Sequence, residues 1–118
     1  MELKISTSAH SDHALVAVRG EIDLYTAPRL HSELVAALDN AGGGRLLVEM
    51  SQVEFCDSTG INVLLSGLKR ARERSGDLEI VAPSGTVSKI LEVTGLDAVF
   101  RIHPTLDTVR VATAAPAE

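Results

Sequence analysis

The sequence predicts an α/β fold, built on a mixed, mostly parallel sheet of about four to five strands joined by about four helices. Short apolar runs typical of strands alternate along the chain with longer segments whose apolar residues recur at helical spacing. This alternation is typical of parallel strands connected by right-handed helical crossovers. The first two strand-like runs follow each other without a helix, which predicts an antiparallel strand at the N-terminal edge of the sheet.

The N-terminal segment has the pattern of a β-hairpin. Leu3, Ile5 and Thr7 alternate with polar residues, as in an edge strand with one buried face. The continuous apolar run at 14–18 suits a strand that is buried on both faces. The polar stretch at 10–13 lies between these two runs, so we expect it to form the turn.

A helix and a second buried strand are predicted next. Thr26 is placed to act as the N-cap residue of the helix. Apolar residues recur at helical spacing over 30–38, and the glycines at 42–44 would stop the helix. The apolar run at 46–48 predicts a strand buried on both faces, and its strand-like pattern continues to near Phe55.

Two further helices and a short strand follow. Helical spacing over 61–68 predicts a second helix, which Gly76 ends. The apolar run at 78–81 predicts the short strand that comes after it. Ser84 can cap a third helix, and Gly95 is the residue type that commonly terminates one.

The C-terminal part is predicted to hold one more strand and one more helix. Apolar residues at 99–102 indicate the last strand, and Thr105 can cap a final helix over 106–109. We expect the Ala-rich segment 114–118 to be a disordered tail, because chain termini without buried residues are poorly ordered. One domain would then cover 1–113.

Composition limits the classes of function. The chain of 118 residues fits one domain, and its 3% aromatic content and net charge of −5 argue against binding to nucleic acid. The single cysteine, Cys56, cannot form an internal disulfide and fits a reducing compartment. Neither a signal-peptide pattern nor an apolar run of about 18 residues is present, so we expect a soluble cytoplasmic protein without a membrane partner.

Several chemical sites are disfavoured by residue spacing. The glycines at 42–44 precede a strand and lack the lysine of a phosphate-binding loop. Ser58 follows Asp57, but no Gly-x-Ser-x-Gly elbow and no obvious base accompany it, which argues against a hydrolase. The histidines show no metal-ligand spacing, so we expect no bound metal. We also expect no cofactor and no catalytic residue. Cys56 suits a small buried residue better than a redox centre.

Two polar segments remain, and each follows a predicted strand. One covers 20–26 and the other 57–60. Parallel neighbouring strands end at the same edge of a sheet, where binding sites of α/β proteins gather, so Asp23 and Ser58 could lie close together. Asp23 also suits an Asx turn, and Ser58 also suits a plain helix N-cap. Position alone does not separate the cap from a functional serine.

These segments carry a resemblance to a known family. The residues at 20–23, with Thr26 and Ala27 after them, resemble the first signature of STAS domains, the sulfate-transporter and anti-sigma-factor-antagonist domains. The residues at 53–60 resemble the second signature, in which a strand end runs into Asp-Ser-Ser/Thr-Gly. The residues at 93–96 resemble the segment that closes the third helix. The three segments are in register over nearly the whole chain.

The resemblance implies a partner-switching protein of the anti-sigma factor antagonist type. The unphosphorylated form would bind an anti-sigma factor, which is also a serine kinase of the histidine-kinase-like ATPase type, and a sigma factor would be freed. Phosphorylation of the motif serine, here Ser58, would release the antagonist, and a metal-dependent serine phosphatase would reset it. Thr59 stands where many members have a second serine, which leaves it as a minor alternative acceptor.

The predicted partner-binding surface follows the two signatures and the start of the second helix. It comprises Asp23, Leu24, Tyr25, Thr26, Asp57, Ser58, Thr59, Gly60, Ile61 and Asn62. The free form is expected to be a monomer or a weak homodimer. The alternative function is an interaction subunit of a larger assembly without a phosphoryl cycle, such as a stressosome-like scaffold or a lipid-transport complex.

Overall fold

In the structure, which is a computed structural model, strands and helices alternate along the chain after an N-terminal strand pair. It describes residues 2–10, 12–40, 44–107 and 109. Across these ranges the elements, in chain order, are β1 (Leu3–Ala9), β2 (Ala14–Ile22), α1 (Ala27–Asn40), β3 (Arg45–Cys56), α2 (Ser58–Glu73), β4 (Asp77–Val81), α3 (Gly85–Thr94), a short 3-10 helix (Leu96–Ala98) and β5 (Arg101–His103).

The strands form one mixed sheet in the order β1-β2-β3-β4-β5. β1 pairs antiparallel with β2, and every other neighbouring pair is parallel. This confirms the predicted mostly parallel sheet with an antiparallel N-terminal edge strand. In consequence the carboxyl ends of β2 and β3 lie side by side at one edge of the sheet, where α1 and α2 begin.

The three helices pack on one face of the sheet. Alternate strand residues such as Val16, Val48 and Ile80 point to this face and are fully buried. They form one aliphatic core with the apolar stripes of the helices. The buried helix residues in this core include Leu30, Leu34, Leu38, Leu64, Leu68, Val87 and Leu91. The helical spacings in the sequence are therefore confirmed as buried faces.

The C-terminal segment covers part of the opposite face. Leu47 and Val81 point to that face and are buried together with Val109, and Leu106 packs against them. Leu106, Asp107 and Val109 have helical conformation, as the predicted last helix requires. The rest of that helix and the predicted tail at 114–118 lie outside the described residues.

The last strand begins later than predicted. β5 starts at Arg101, whereas the apolar pattern of the sequence predicts a start at Val99. Gly95 ends α3 in the left-handed conformation with φ 76°, and the chain then turns until the amide of Phe100 donates to the carbonyl of Leu96 at 3.1 Å. Phe100 is buried because it packs into the core from this turn. β3 ends at Cys56, which confirms the prediction that the strand continues from the apolar run at 46–48 to near Phe55.

A buried ionic network joins β3, β4 and β5. Glu79 is 2% exposed, and its carboxylate accepts hydrogen bonds from Arg45 Nε at 2.6 Å and Arg45 Nη2 at 2.9 Å. His103 Nε2 lies 2.6 Å from Glu79 Oε1. Burial alone would raise the pKa of Glu79, but the hydrogen bonds from Arg45 and His103 outweigh it, so the pKa lies below its usual value.

We predict that Glu79→Gln destabilises the fold by about 3 kcal/mol at pH 7, because it breaks a buried charge pair from one side. A carboxyl whose pKa is lowered by folding stabilises the native state above its unfolded pKa, about 4.3 for glutamate, and that contribution is lost as the pH falls below this value. Urea unfolding should therefore show a difference in the free energy of unfolding between wild type and variant, and this difference should become smaller below a pH of about 4.3.

The control is Glu54→Gln, which changes an exposed carboxylate on β3. It should alter the free energy of unfolding by less than about 0.5 kcal/mol. Equal stability of the Glu79 and Glu54 variants at pH 7 would contradict a stabilising role for the network.

Candidate functional site

The two polar segments lie side by side at the carboxyl edge of the sheet. Ile22, the last residue of β2, pairs with Cys56, the last residue of β3. One step further, the amide of Asp57 donates to the carbonyl of Ile22 at 3.2 Å. The segments that begin at Asp23 and Asp57 therefore leave the sheet from adjacent points, as the parallel pairing predicts.

Asp57 caps α2, which corrects the interpretation of Ser58 as the N-cap residue. Asp57 Oδ1 accepts hydrogen bonds from the amide of Thr59 at 2.9 Å and from the Thr59 hydroxyl. Ser58 is instead the first helical residue. Aspartate and serine are both favoured at the N-cap position of a helix, and in α2 the N-cap residue is one position earlier than predicted.

Ser58 is left exposed by this arrangement. Within the part of the chain that the structure describes, its hydroxyl makes no hydrogen bond. It stands at the N-terminus of a helix of 16 residues whose first turn contains no acidic side chain. A helix N-terminus carries about half a positive charge and binds anions such as phosphate, so α2 can tolerate a negative group on Ser58.

The Asp23 carboxylate is turned into the β2–α1 loop. Its Oδ1 accepts hydrogen bonds from the amides of Tyr25 at 2.9 Å and Thr26 at 3.0 Å, which is an Asx turn. The bond from the Thr26 amide, supported by that from Tyr25, holds the pKa of Asp23 below its usual value although burial opposes it. Asp23 is 8% exposed, so its side chain faces the loop more than the solvent.

Thr26 completes this loop through hydrogen bonds to residues that precede it in the chain. Its hydroxyl accepts from the amide of Asp23 at 2.9 Å and donates to the carbonyl of Glu21 at 2.9 Å. Thr26 holds the predicted N-cap position directly before α1, where its carbonyl accepts from the amide of Leu30 at 3.2 Å, but its hydroxyl bonds to Asp23 and Glu21 and not to an amide of the helix. The reciprocal bonds between Asp23 and Thr26 resemble a capping box and fix the loop.

The remaining residues of the predicted partner-binding surface differ in their exposure to solvent. Leu24 and Tyr25 are 65% and 86% exposed, and Asn62 is also exposed. Gly60 and Ile61 are buried. A Cβ atom at Gly60 would lie 2.6 Å from Ile22 Cγ2 and 2.7 Å from Cys56 Sγ, so this glycine allows α2 to pack closely on the strand ends.

Two grooves flank the start of α2. The first, of about 450 Å³, lies between α2 and α3 and is lined by Ser58, Ile61, Leu65, Ile90 and Leu96 among others. Sequence reasoning missed the contributions of Ile90 and Leu96, since these residues lie far along the chain and reach the site only through the packing of α3.

The second groove, of about 490 Å³, lies between the N-terminal parts of α1 and α2. Leu24 from the β2–α1 loop and Thr59 from the second signature both line it, together with Asn62. The two signatures therefore contribute to one continuous surface.

Cys56 is a packing residue by position. It is 3% exposed, and burial, with the nearby Asp57 charge, raises the pKa of its thiol to about 11. In the described ranges no cluster of three or more histidine, cysteine, aspartate or glutamate side chains is suited to a metal ion. No helix within those ranges combines the length and apolar character needed to cross a bilayer.

The fold and site together define a class of small α/β domain, with helices packed on one face of a five-stranded sheet and an exposed serine at the start of the helix after β3. The family described as "Mlab, STAS domain" matches residues 5–104. The chain therefore belongs to the STAS domain family, which confirms the resemblance seen in the signatures.

Similar proteins include named anti-sigma factor antagonists. The anti-sigma-B factor antagonist of Staphylococcus epidermidis is 30% identical over 103 residues, covering 87% of this chain and 94% of that protein. Its counterpart in Listeria monocytogenes is 33% identical over 92 residues, covering 78% and 80%. The crystal structure of an anti-sigma factor antagonist from Mycobacterium paratuberculosis has a TM-score of 0.82 and 30% identity, and the match covers 94% of this chain and 93% of that one.

The capping geometry predicts unequal effects of alanine at neighbouring positions. Asp57→Ala should lower the free energy of unfolding by about 1 kcal/mol, because it removes an N-cap acceptor. Ser58→Ala should change it by less than about 0.5 kcal/mol, because an exposed residue without a structural contact is replaced. Urea denaturation of both variants measures the difference, and a larger loss for Ser58→Ala would contradict the assignment of Asp57 as the cap.

The Cys56 thiol should be unreactive in the folded protein. With a pKa raised to about 11 it is protonated at pH 8, so alkylation by iodoacetamide should be at least about 100-fold slower than in urea. The thiolate fraction, and with it the rate, should rise with pH toward 11 while the fold persists. A native rate equal to the unfolded rate would contradict this.

Proposed function

We propose that the chain is an anti-sigma factor antagonist, whose unphosphorylated form binds an anti-sigma factor with serine kinase activity and so frees a sigma factor. Phosphorylation on Ser58 ends this binding, and a metal-dependent serine phosphatase restores it. The observation that carries the proposal is the exposed Ser58 hydroxyl, which the fold does not use, at a helix N-terminus inside a STAS signature. The names of the similar proteins support the same role.

The hydrogen bonds favour Ser58 over Thr59 as the acceptor. The Thr59 hydroxyl donates to the Asp57 carboxylate, and Thr59 is half-buried. Phosphorylation of Thr59 would break that bond and bring a phosphate against the carboxylate that caps α2. Ser58 can be modified without either penalty.

The transfer itself requires little of this chain beyond presenting a hydroxyl. Ser58 Oγ forms a bond to the γ-phosphorus of ATP, the bond from that phosphorus to the β–γ bridging oxygen breaks, and ADP leaves. The hydroxyl proton passes to a base of the kinase. This chain acts as the phosphate acceptor and binding partner, and the catalytic groups belong to the kinase.

A phosphate on Ser58 would repel a docked partner through local charge. It adds about −1.5 to −2 charges. A negative charge on the phosphate and a negative charge of the docked partner ~4 Å away would repel each other by about 4 kcal/mol at an effective dielectric of ~20. Half of that exceeds the ~1.4 kcal/mol that changes affinity tenfold. Because Asp57 caps α2 independently of Ser58, the helix does not need to refold.

The decisive experiment incubates the chain with Mg-ATP and each purified anti-sigma factor kinase from the source organism, and maps phosphate by mass spectrometry. Phosphate on Ser58 is expected, together with loss of kinase binding. Ser58→Ala should bind without being modified, and Ser58→Asp should bind at least about tenfold more weakly.

Ser66 supplies the matched control, because it is another exposed serine on α2, two turns further along. Ser66→Ala and Ser66→Asp should be phosphorylated on Ser58 and bind like the wild type. No phosphorylation by any of the kinases would overturn the proposal and favour an interaction subunit of a larger assembly.

A further inference from the structure

A polar cleft crosses β1, β2 and β3 on the face of the sheet opposite to α1, α2 and α3. Its volume is about 470 Å³, and small-molecule sites typically measure about 300–1,000 Å³. Leu3, Val18 and Val53 are buried in the helix-covered core, and neighbouring residues on the same strands point the other way. The cleft is lined by Glu2, Lys4, Arg19, Glu21, Gln52 and Glu54. None of these residues lines the grooves beside α2.

The polar side chains of the cleft form two rows across the strands. In the first row Lys4 pairs with Arg19, which in turn pairs with Gln52. The second row begins two residues further along β2 with Glu21, whose amide donates to the carbonyl of Glu2 at 2.8 Å. Because a strand rises about 3.3 Å per residue, the row with the cations and the row of carboxylates lie about 7 Å apart.

A bulge in β3 adds Glu54 to the second row. Gly20 pairs with Val53 and Glu21 pairs with Phe55, so Glu54 is an extra residue between these two pairs. It is exposed, whereas Val53 is buried in the core. Bulges change the direction of side chains and are over-represented next to functional sites, which fits a role for Glu54 in the cleft.

The two cations of the first row face each other without a counter-charge. Residues directly opposite in an antiparallel pair have Cβ atoms about 5 Å apart, and like charges at such positions are destabilising. Within the described ranges, neither Lys4 nor Arg19 forms an ion pair, and the same holds for Glu21 and Glu54. Unfavourable local arrangements of this kind are expected at functional sites, where a ligand can offset them.

We propose that this cleft binds a small zwitterion, whose carboxylate contacts Lys4 and Arg19 and whose cationic group contacts Glu21 and Glu54. Arginine suits the carboxylate because its planar guanidinium can donate two parallel hydrogen bonds to it. The carboxylate row repels a simple anion and the two cations repel a simple cation, so the cleft selects a ligand with both charges about 7 Å apart. Basic amino acids such as lysine have a carboxylate and a side-chain cation at about this separation. The site does not depend on phosphorylation of Ser58.

The first test titrates the nitrogen-15-labelled full chain with ε-aminocaproate, in which a methylene chain separates a carboxylate from an ammonium group. The amide signals of Gly20, Gln52 and Glu54 should shift and saturate with a Kd of about 1 mM, and L-lysine should shift the same signals. Hexanoate lacks only the ammonium group and β-alanine has a shorter chain, so both should bind at least about tenfold more weakly. Equal binding of hexanoate would indicate a simple anion site and would overturn the proposal.

The second test removes one charge from each row. Arg19→Gln and Glu54→Gln should each weaken binding of ε-aminocaproate about fivefold, as expected for the loss of one exposed ion pair. Lys69→Gln and Glu92→Gln are the matched controls, because they remove exposed charges on α2 and α3, on the other face of the sheet. These controls should change the Kd by less than about twofold.

The spectra themselves show whether each variant is folded, since a folded chain keeps its dispersed amide signals. Unchanged affinity of folded Arg19→Gln and Glu54→Gln would overturn the proposal. So would the absence of saturable shifts at the cleft amides of the wild type at about 20 mM ε-aminocaproate, well above the expected Kd. Either result leaves the proposed function standing, because phosphorylation of Ser58 is measured separately.

Discussion

The candidate site depends on the parallel pairing of β2 with β3 up to their last residues. Ile22 lies opposite Cys56, and the amide of Asp57 still bonds to the carbonyl of Ile22. Because both strands end at the same level, two loops and two helix starts share one small area. Gly60 maintains this closeness, since any larger residue there would push α2 away from the strand ends.

The sequence predicts most of the fold, because each helix has an apolar stripe and each strand a short apolar run. The start of the last strand is the exception. Two consecutive apolar residues such as Val99 and Phe100 suit a strand and a turn equally well. Only the packing of Phe100 into the core decides between the two structures. The cap of α2 shows a similar limit, because Asp57 and Ser58 are both favoured cap residues and local geometry selects one.

At the site, the meeting of the two signatures is predictable from strand order alone. The shape of the surface cannot be predicted in the same way, because Ile90 lies on α3 and Leu96 follows α3, and both line the groove beside Ser58. The Arg45–Glu79–His103 network is likewise hidden in the sequence, since it needs the register of three strands. The sequence predicts Asp23 as a site residue, but only its hydrogen bonds reveal that it organises a loop.

The separation of the α2 cap on Asp57 from the exposed Ser58 hydroxyl has a consequence for protein turnover. Changes of 1–2 kcal/mol in stability alter cellular abundance several-fold, because unfolded chains are removed by proteases. Asp57 carries the cap, so adding or removing a group on Ser58 leaves the folded fraction nearly unchanged. Under the proposed phosphorylation of Ser58, both forms would then be degraded at similar rates, and the ratio of the two forms could change while the total amount of the protein stays constant.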